Sequence, residues 1–121
     1  MIKFPKHFSI VDRINFLQRK VILNSIMYYE YDKSFISDSY FDEMSRQLVQ
    51  MQKDYDSIDG QSIKKDTKYG YMMFDFDGST GFDLYSKLNV KDDEELTLMC
   101  GYKLYREKER EKQKWEIMKK N

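Results

Sequence analysis

The fold is decided by the stretch Tyr28 to Asp42, YYEYDKSFISDSYFD, where one apolar-periodic segment ends, a polar connector turns the chain, and a second segment begins. Upstream of it, Ser9-Ile10-Val11-Asp12 has the form of a capping box, so we expect a first helix to begin there. Downstream, Ser37 or Asp38 is placed to cap a second helix. A connector this short makes the two helices antiparallel neighbours. The sequence therefore predicts a helical hairpin over residues 9–55.

Both predicted helices carry apolar residues at helical spacing. The first should reach Tyr31, and its apolar face comprises Ile10, Ile14, Leu17, Val21 and Tyr28, broadened by Phe16, Leu23 and Met27. The face of the second comprises Phe41, Met44, Leu48, Met51 and Tyr55. Steps of three, four and seven residues place each set on one side of a helix. The two faces should meet and form the core.

The middle of the chain predicts a minor β element. The run Tyr69 to Phe76 is aromatic and of strand length, and the helix-breaking turn Asp77 to Gly81 follows it. Such a strand would need a partner from Ile2 to Phe4, from the loop Ser57 to Ile63, or from another copy of the chain. Residues 82–88 then predict a short helix.

A long charged helix is predicted at the C-terminus. Asn89 is placed to cap it, and acidic residues crowd the first turn, where the helix dipole favours negative charge. Its buried face is expected to comprise Leu96, Leu98, Met99, Tyr102 and Tyr105. The predicted fold class is therefore mainly α with a minor β element. We expect one domain over residues 1–121, with the hairpin at 9–55, strand and turn at 66–90, and the C-terminal helix at 89–118.

Composition narrows the classes of partner. Lys and Arg number 21 and Asp and Glu number 21, so the formal net charge is zero and no overall field attracts nucleic acid or anionic lipid. Direct nucleic-acid binding and membrane insertion are not expected. Cys100 is the only cysteine and no signal-peptide core is visible at the N-terminus, so we expect a cytoplasmic protein, in the host cytoplasm if phage-encoded.

One family resemblance is carried by the hairpin. The order Tyr28-Tyr29, Asp32, Ile36-Ser37-Asp38 and Asp42, followed by an apolar helical stripe, resembles the small N-terminal domain of NAD-dependent DNA ligases, which captures the nicotinamide mononucleotide half of NAD. The likeness covers roughly Val11 to Tyr55. It implies that Tyr28, Tyr29, Asp38 and Asp42 hold the nicotinamide amide and ribose.

Two positions depart from the family pattern, and a structural alternative stays open. Phe41 stands where the family has Tyr, and Ser34 stands where it has Pro in the connector. In the structural alternative, Asp38 only caps the second helix and Tyr28 only packs in the core.

Catalytic and metal-binding roles find little support. A nucleotidyl transferase needs Lys two residues before Asp-Gly, and Asp75 occupies that place. Phe74 to Ser79 is similar to the nucleophile loop of haloacid-dehalogenase-like phosphatases, but the parallel sheet that those enzymes need is not predicted. Read as a calcium loop, the same stretch puts Ser86 where a bidentate Glu belongs. With a single His and a single Cys, zinc is not expected either. We predict no enzyme activity, no catalytic residue and no metal.

Two functions of different class remain. The whole pattern is similar to small ligase-like proteins of phages and prophages of Gram-positive bacteria, which implies a non-catalytic accessory protein that binds a host or phage protein and inhibits a host defence or nucleic-acid-processing enzyme. Trp115 and Met118, on an otherwise charged helix, are candidate anchors for that partner, or the helix is simply a solvated surface. Self-association through the strand at 69–76 or through the C-terminal helix is a further expectation.

The alternative function is binding of a pyridine nucleotide. In a ligase the hairpin closes against a neighbouring domain, so alone it would offer NAD or nicotinamide mononucleotide an open surface. On that basis we expect no resident cofactor, and affinity for either nucleotide weaker than about 1 mM.

Overall fold

The protein is helical throughout the part of the chain that its computed structural model describes, residues 2–79, 81–87 and 93–120. The helices are α1 Ile10–Tyr31, α2 Asp38–Asp56, α3 Ile63–Asp66, α4 Gly70–Met73, α5 Phe82–Lys87 and α6 Glu94–Lys120. No strand occurs in those residues, so the mainly α class is confirmed. The chain divides into two compact units, residues 1–88 and 89–121, and each is described by itself.

The predicted helical hairpin is present, and its helices begin at the capping residues that the sequence indicates. At the start of α1, the Asp12 N–H donates to Ser9 Oγ at 3.1 Å and the Ser9 N–H donates to Asp12 Oδ2 at 3.0 Å, which completes the capping box. The helix ends because Asp32 adopts a left-handed conformation, with φ of 53°. Ser37 then caps α2, its Oγ accepting from the Tyr40 N–H at 3.1 Å. The antiparallel arrangement of α1 and α2 follows from the end of α1 at Asp32 and the start of α2 after Ser37.

The core lies mainly along α1. Ile14, Leu17, Val21, Met44 and Leu48 are fully buried, as their spacing predicts. Helices α2 and α5 both pack on α1, so every residue from 21 to 27 is buried. The two ends of the predicted stripe are wrong, because Ile10 and Tyr28 are 45% and 53% exposed.

The predicted strand at 69–76 is wrong, because this segment contains α4. The buried side chains of the segment are Tyr69, Met72, Met73 and Phe76, of which Met72 and Met73 lie within α4. Gly70 lets this turn approach α3 closely, since a Cβ there would lie 1.8 Å from the Ile63 carbonyl oxygen. Self-association through a strand at this position therefore loses its basis.

A buried polar network holds the short helices to the hairpin. Gln18 Nε2, on α1, donates to Gln52 Oε1 at 2.9 Å and to Thr67 Oγ1 at 3.0 Å. Gln52 Nε2, on α2, donates to the Met73 carbonyl at 2.9 Å. Buried amides without such partners would cost about 1–3 kcal/mol each. The network therefore specifies where α3 and α4 pack.

The second unit contains α6, which begins at Glu94 and extends to Lys120. Asp93 Oδ1 accepts from the Leu96 N–H at 3.0 Å and so caps the helix, whereas the predicted cap Asn89 lies outside the described residues. Within the predicted buried face, Leu96 is buried and Met99 is half-buried. The other three members are exposed, contrary to the prediction: Leu98 by 73%, and Tyr102 and Tyr105 by 60% each. Nowhere in the described chain does a helix combine the length and apolar character needed to cross a membrane.

Candidate ligand-binding cleft

The four binding residues predicted from the sequence meet in one cleft of the first unit. The cleft has a volume of about 340 Å³ and is lined by Asn24, Ser25, Tyr28, Tyr29, Ser34, Phe35, Ile36, Ser37, Asp38, Phe41, Asp42, Ser79 and Gly81. Its walls come from the last turns of α1, the connector, the first turns of α2, and the turn before α5. This volume lies at the lower end of the range of small-molecule sites.

The α1 wall is aromatic at its outer end. Asn24 and Tyr28, like Ser25 and Tyr29, are four residues apart and so share a helix face. Tyr28 and Tyr29 contact each other edge to face, with ring centroids 4.9 Å apart and planes at 82°. Because Tyr28 is 53% exposed, it presents its ring to the cleft rather than packing in the core.

The α2 wall is acidic. Asp38, Phe41 and Asp42 stand at positions i, i+3 and i+4 of the helix and therefore point the same way. Since Ser37 is the residue that caps α2, the Asp38 side chain is not used for that purpose. Both carboxylates are exposed. The structural alternative in which Asp38 caps the helix is therefore wrong.

The connector is held by a polar contact at Ser34. Ser34 Oγ donates to the Ile36 carbonyl at 2.8 Å, which closes a local turn. Phe35 and Ile36 line the cleft as a result.

The turn before α5 provides a further wall of the cleft, in addition to the walls that α1, the connector and α2 provide. Asp77 Oδ1 accepts from the Ser79 N–H at 2.9 Å and from Ser79 Oγ at 2.6 Å, and these bonds lower the pKa of Asp77. Gly81 lies directly against α1, because a Cβ at this position would be 2.2 Å from Ser25 Oγ. The cleft therefore has more enclosure than the open hairpin surface considered from the sequence.

Helix α5 is attached to the outer end of α1 next to the cleft. The Tyr85 hydroxyl donates to Glu30 Oε2, and this hydrogen bond raises the pKa of Tyr85. The Tyr85 ring also stacks on Tyr29, with centroids 5.8 Å apart and planes at 27°. These contacts set the orientation of the Tyr29 ring that lines the cleft.

The lining combines aromatic rings with polar and charged side chains. Aromatic faces are available from α1 and α2, and carboxylates, hydroxyls and an amide supply hydrogen-bond acceptors and donors. Among the described residues, no three His, Cys, Asp or Glu side chains are grouped so as to hold a metal ion.

Part of this lining was accessible to sequence reasoning. Asn24 and Ser25 lie one helical turn before Tyr28 and Tyr29, so their place on the same face follows from the helical period. Ser79 and Gly81 carry no such signal, since they reach the cleft only through tertiary packing.

The predicted partner anchors lie in the second unit. On α6, Trp115 is 64% exposed and Met118 is 67% exposed, and Ile117 beside them is 62% exposed. They form a group of large apolar side chains on a helix whose other residues in this region are mostly charged.

Comparison of the chain with protein-family models, with curated proteins and with solved structures finds no match.

Proposed function

We propose that this protein binds the nicotinamide and ribose portion of a pyridine nucleotide in the cleft between α1, α2 and the turn before α5. The observation that supports the proposal is that Tyr28, Tyr29, Asp38 and Asp42, named from the sequence by their resemblance to the ligase hairpin, all line one cleft. These residues belong to two different helices, and the fold brings them together at one cleft whose size suits a small ligand. This favours the nucleotide-binding alternative over the protein-binding one.

The lining suits each part of that ligand. A pyridinium ring can stack on the exposed tyrosine rings. The carboxylates of Asp38 and Asp42 accept hydrogen bonds from the ribose hydroxyls and from the amide N–H groups, and as ionised acceptors they bind donors more strongly than neutral groups do. Phe41 lines the cleft but offers no hydroxyl, so one polar contact that the family pattern would supply is missing.

The expected affinity follows from the size of the ligand. Ligands of this size gain at most about 0.3 kcal/mol per non-hydrogen atom, so a nicotinamide nucleoside gains up to about 5 kcal/mol, which corresponds to a Kd no tighter than about 0.2 mM. This is tighter than the open hairpin surface alone would allow, because the turn at Ser79 and Gly81 encloses one more side of the ligand.

Calorimetric titration of the whole protein with nicotinamide mononucleotide tests the proposal. Asp38→Asn and Asp42→Asn should each weaken binding several-fold, because each replaces a charged acceptor with a neutral one. Asp59→Asn is the matched control, since Asp59 is an exposed carboxylate that does not line the cleft. Absence of binding at several millimolar ligand by a protein with a normal circular dichroism spectrum would refute the proposal.

A second candidate function is supported by the exposed group on α6. We propose that Trp115 and Met118 anchor a host or phage protein, which this protein would inhibit or redirect without catalysis. Exposed Trp is strongly enriched among residues that dominate binding energy at protein interfaces. A pull-down from bacterial lysate with the wild type and with Trp115→Ala, using Lys112→Ala as control, tests this candidate. A partner retained equally by all three proteins would show that Trp115 is not the anchor.

A further inference from the structure

The charges that line the cleft are all of one sign. Among the described residues that line it, Asp38 and Asp42 are the charged ones, and none is Lys, Arg or His. Neither carboxylate makes a hydrogen bond or ion pair with another described residue. Four aromatic residues, Tyr28, Tyr29, Phe35 and Phe41, complete the surroundings of the two acids. A cavity that combines carboxylates with aromatic faces attracts a cation.

The side-chain amide of Asn24 is a further polar group in the cleft, and its oxygen lacks a hydrogen-bond donor among the described residues. Asn24 is 7% exposed, and its Nδ2 donates to the Lys20 carbonyl at 2.8 Å, which fixes the orientation of the amide. Its Oδ1 is buried and has no hydrogen-bond partner in the part of the chain that the structure describes. A buried acceptor without a donor is costly, so a ligand amide N–H that reached it would be stabilised. A ligand carboxylate at the same place would face the Asn24 oxygen, which cannot donate a hydrogen bond.

The N-terminus of α2 is a feature of the cleft that favours an anion. It contributes roughly half a positive charge, and one of its backbone donors is used by Ser37 Oγ. The two carboxylates on the same wall carry two full negative charges. The sum at the cleft is therefore negative.

We infer that the cleft selects its ligand by positive charge and prefers the nicotinamide nucleoside cation to its 5′-phosphorylated form. The inference rests on the proposed function, because it assumes that the nicotinamide and ribose occupy this cleft. The pyridinium ring stacks on tyrosine and faces both aspartates. A phosphate on the same ribose is brought near two carboxylates and finds no cationic side chain in the lining. A ring that has been reduced to the neutral dihydropyridine loses the attraction.

Screened Coulomb interactions set how strongly the cleft should prefer the nucleoside to the mononucleotide. Unit charges 4 Å apart in water interact by about 1 kcal/mol, and a phosphate carries up to two charges near two aspartates. At low ionic strength we therefore expect the nucleoside to bind about tenfold tighter than the mononucleotide. At 1 M salt the screening length falls to about 3 Å, and the ratio should fall below about twofold.

Calorimetric titration with three probes tests this inference: nicotinamide riboside, nicotinamide mononucleotide and dihydronicotinamide riboside. The riboside should bind tightest at low salt, and the neutral dihydro form should bind at least about fivefold more weakly. Asp38→Asn and Asp42→Asn should each reduce the ratio of riboside to mononucleotide affinity, whereas Asp59→Asn should leave the ratio unchanged. Circular dichroism of each variant establishes that it is folded.

The outcomes separate the two proposals. Equal or tighter binding of the mononucleotide at low salt, or equal binding of the neutral dihydro form, would overturn selection by charge while leaving the nicotinamide site in place. A ratio that does not change in either aspartate variant would do the same. Failure of all three probes to bind would remove the proposed function and this inference with it.

Discussion

Gly81→Ala should destabilise the protein by about 1–3 kcal/mol, because the methyl group has no space. The new Cβ would lie 2.2 Å from Ser25 Oγ, 2.9 Å from Ser25 Cβ and 3.3 Å from Phe41 Cζ. Favourable carbon contacts begin near 3.5 Å, so the turn has to move outward by about 1 Å. Alternatively, Ser25 has to give up the hydrogen bond from its Oγ to the Val21 carbonyl, 2.8 Å long. Either response opens the cleft wall, so ligand affinity should fall as well.

Urea unfolding followed by circular dichroism measures the effect, and the chain offers a matched control. Gly101 lies inside α6, and nothing lies within 4 Å of a Cβ built there. The same change at Gly101 should therefore be stabilising by about 0.5–1 kcal/mol, because Ala is the better helix former. Ser25→Gly removes the two nearest atoms, so the double variant with Gly81→Ala should recover part of the loss as a coupling free energy. A Gly81→Ala protein within about 0.5 kcal/mol of the wild type would refute the close contact.

Three further predictions address the core, the site and the pH dependence. Leu48→Ala should lower the free energy of unfolding by about 2–5 kcal/mol, since Leu48 is fully buried, and a loss under about 0.5 kcal/mol would contradict this. Phe41→Tyr adds a hydroxyl to the cleft and should tighten nicotinamide binding roughly two- to tenfold in calorimetry; unchanged affinity would mean that the hydroxyl finds no partner. The Tyr55 hydroxyl donates to Asp66 Oδ2 at 2.7 Å, which lowers the pKa of Asp66 below 3.8 and raises that of Tyr55 above 10.0. The Asp66 contribution to stability is therefore present above its unfolded pKa and lost as the pH falls through the lowered folded value, whereas the Tyr55 contribution is present below pH 10 and lost at higher pH. Asp66→Asn should make the acid limb of a stability–pH curve shallower, and an unchanged limb would refute the linkage.

Helix starts and stops were determined by the sequence because they depend on neighbouring residues. Ser9 and Asp12 satisfy each other's backbone N–H groups, and Ser37 does the same for the start of α2. Helical spacing then places Asp38 and Asp42 on one face. These interactions span at most four residues, so a local pattern is sufficient to predict them.

The segment 69–76 shows where local preference misleads. Its aromatic residues are typical of a strand, yet the buried positions Tyr69, Met72, Met73 and Phe76 follow the period of a helix. Strand propensity depends strongly on the surrounding packing. Here Gly70 permits α4 to lie against α3, and the Met73 carbonyl receives a hydrogen bond from Gln52 on α2. The helical turn is stabilised by contacts that a local reading of the sequence does not contain.

Helix α6 is another element whose buried face could not be predicted from local spacing. Leu96 and Leu98 are equally apolar, but one is buried and the other is 73% exposed. Apolar residues around more than one side of a helix leave its buried face undetermined by spacing alone.

The complete cleft was decided by tertiary structure. The sequence by itself determined that Tyr28, Tyr29, Asp38 and Asp42 lie on the ends of two antiparallel helices. Only the packing of Gly81 against Ser25 added the remaining wall, through a contact between residues far apart in the chain. Such a contact depends on the absence of a side chain at one position and on a small side chain at the other. Neither residue forms a periodic pattern, so the three-dimensional arrangement alone brings them together.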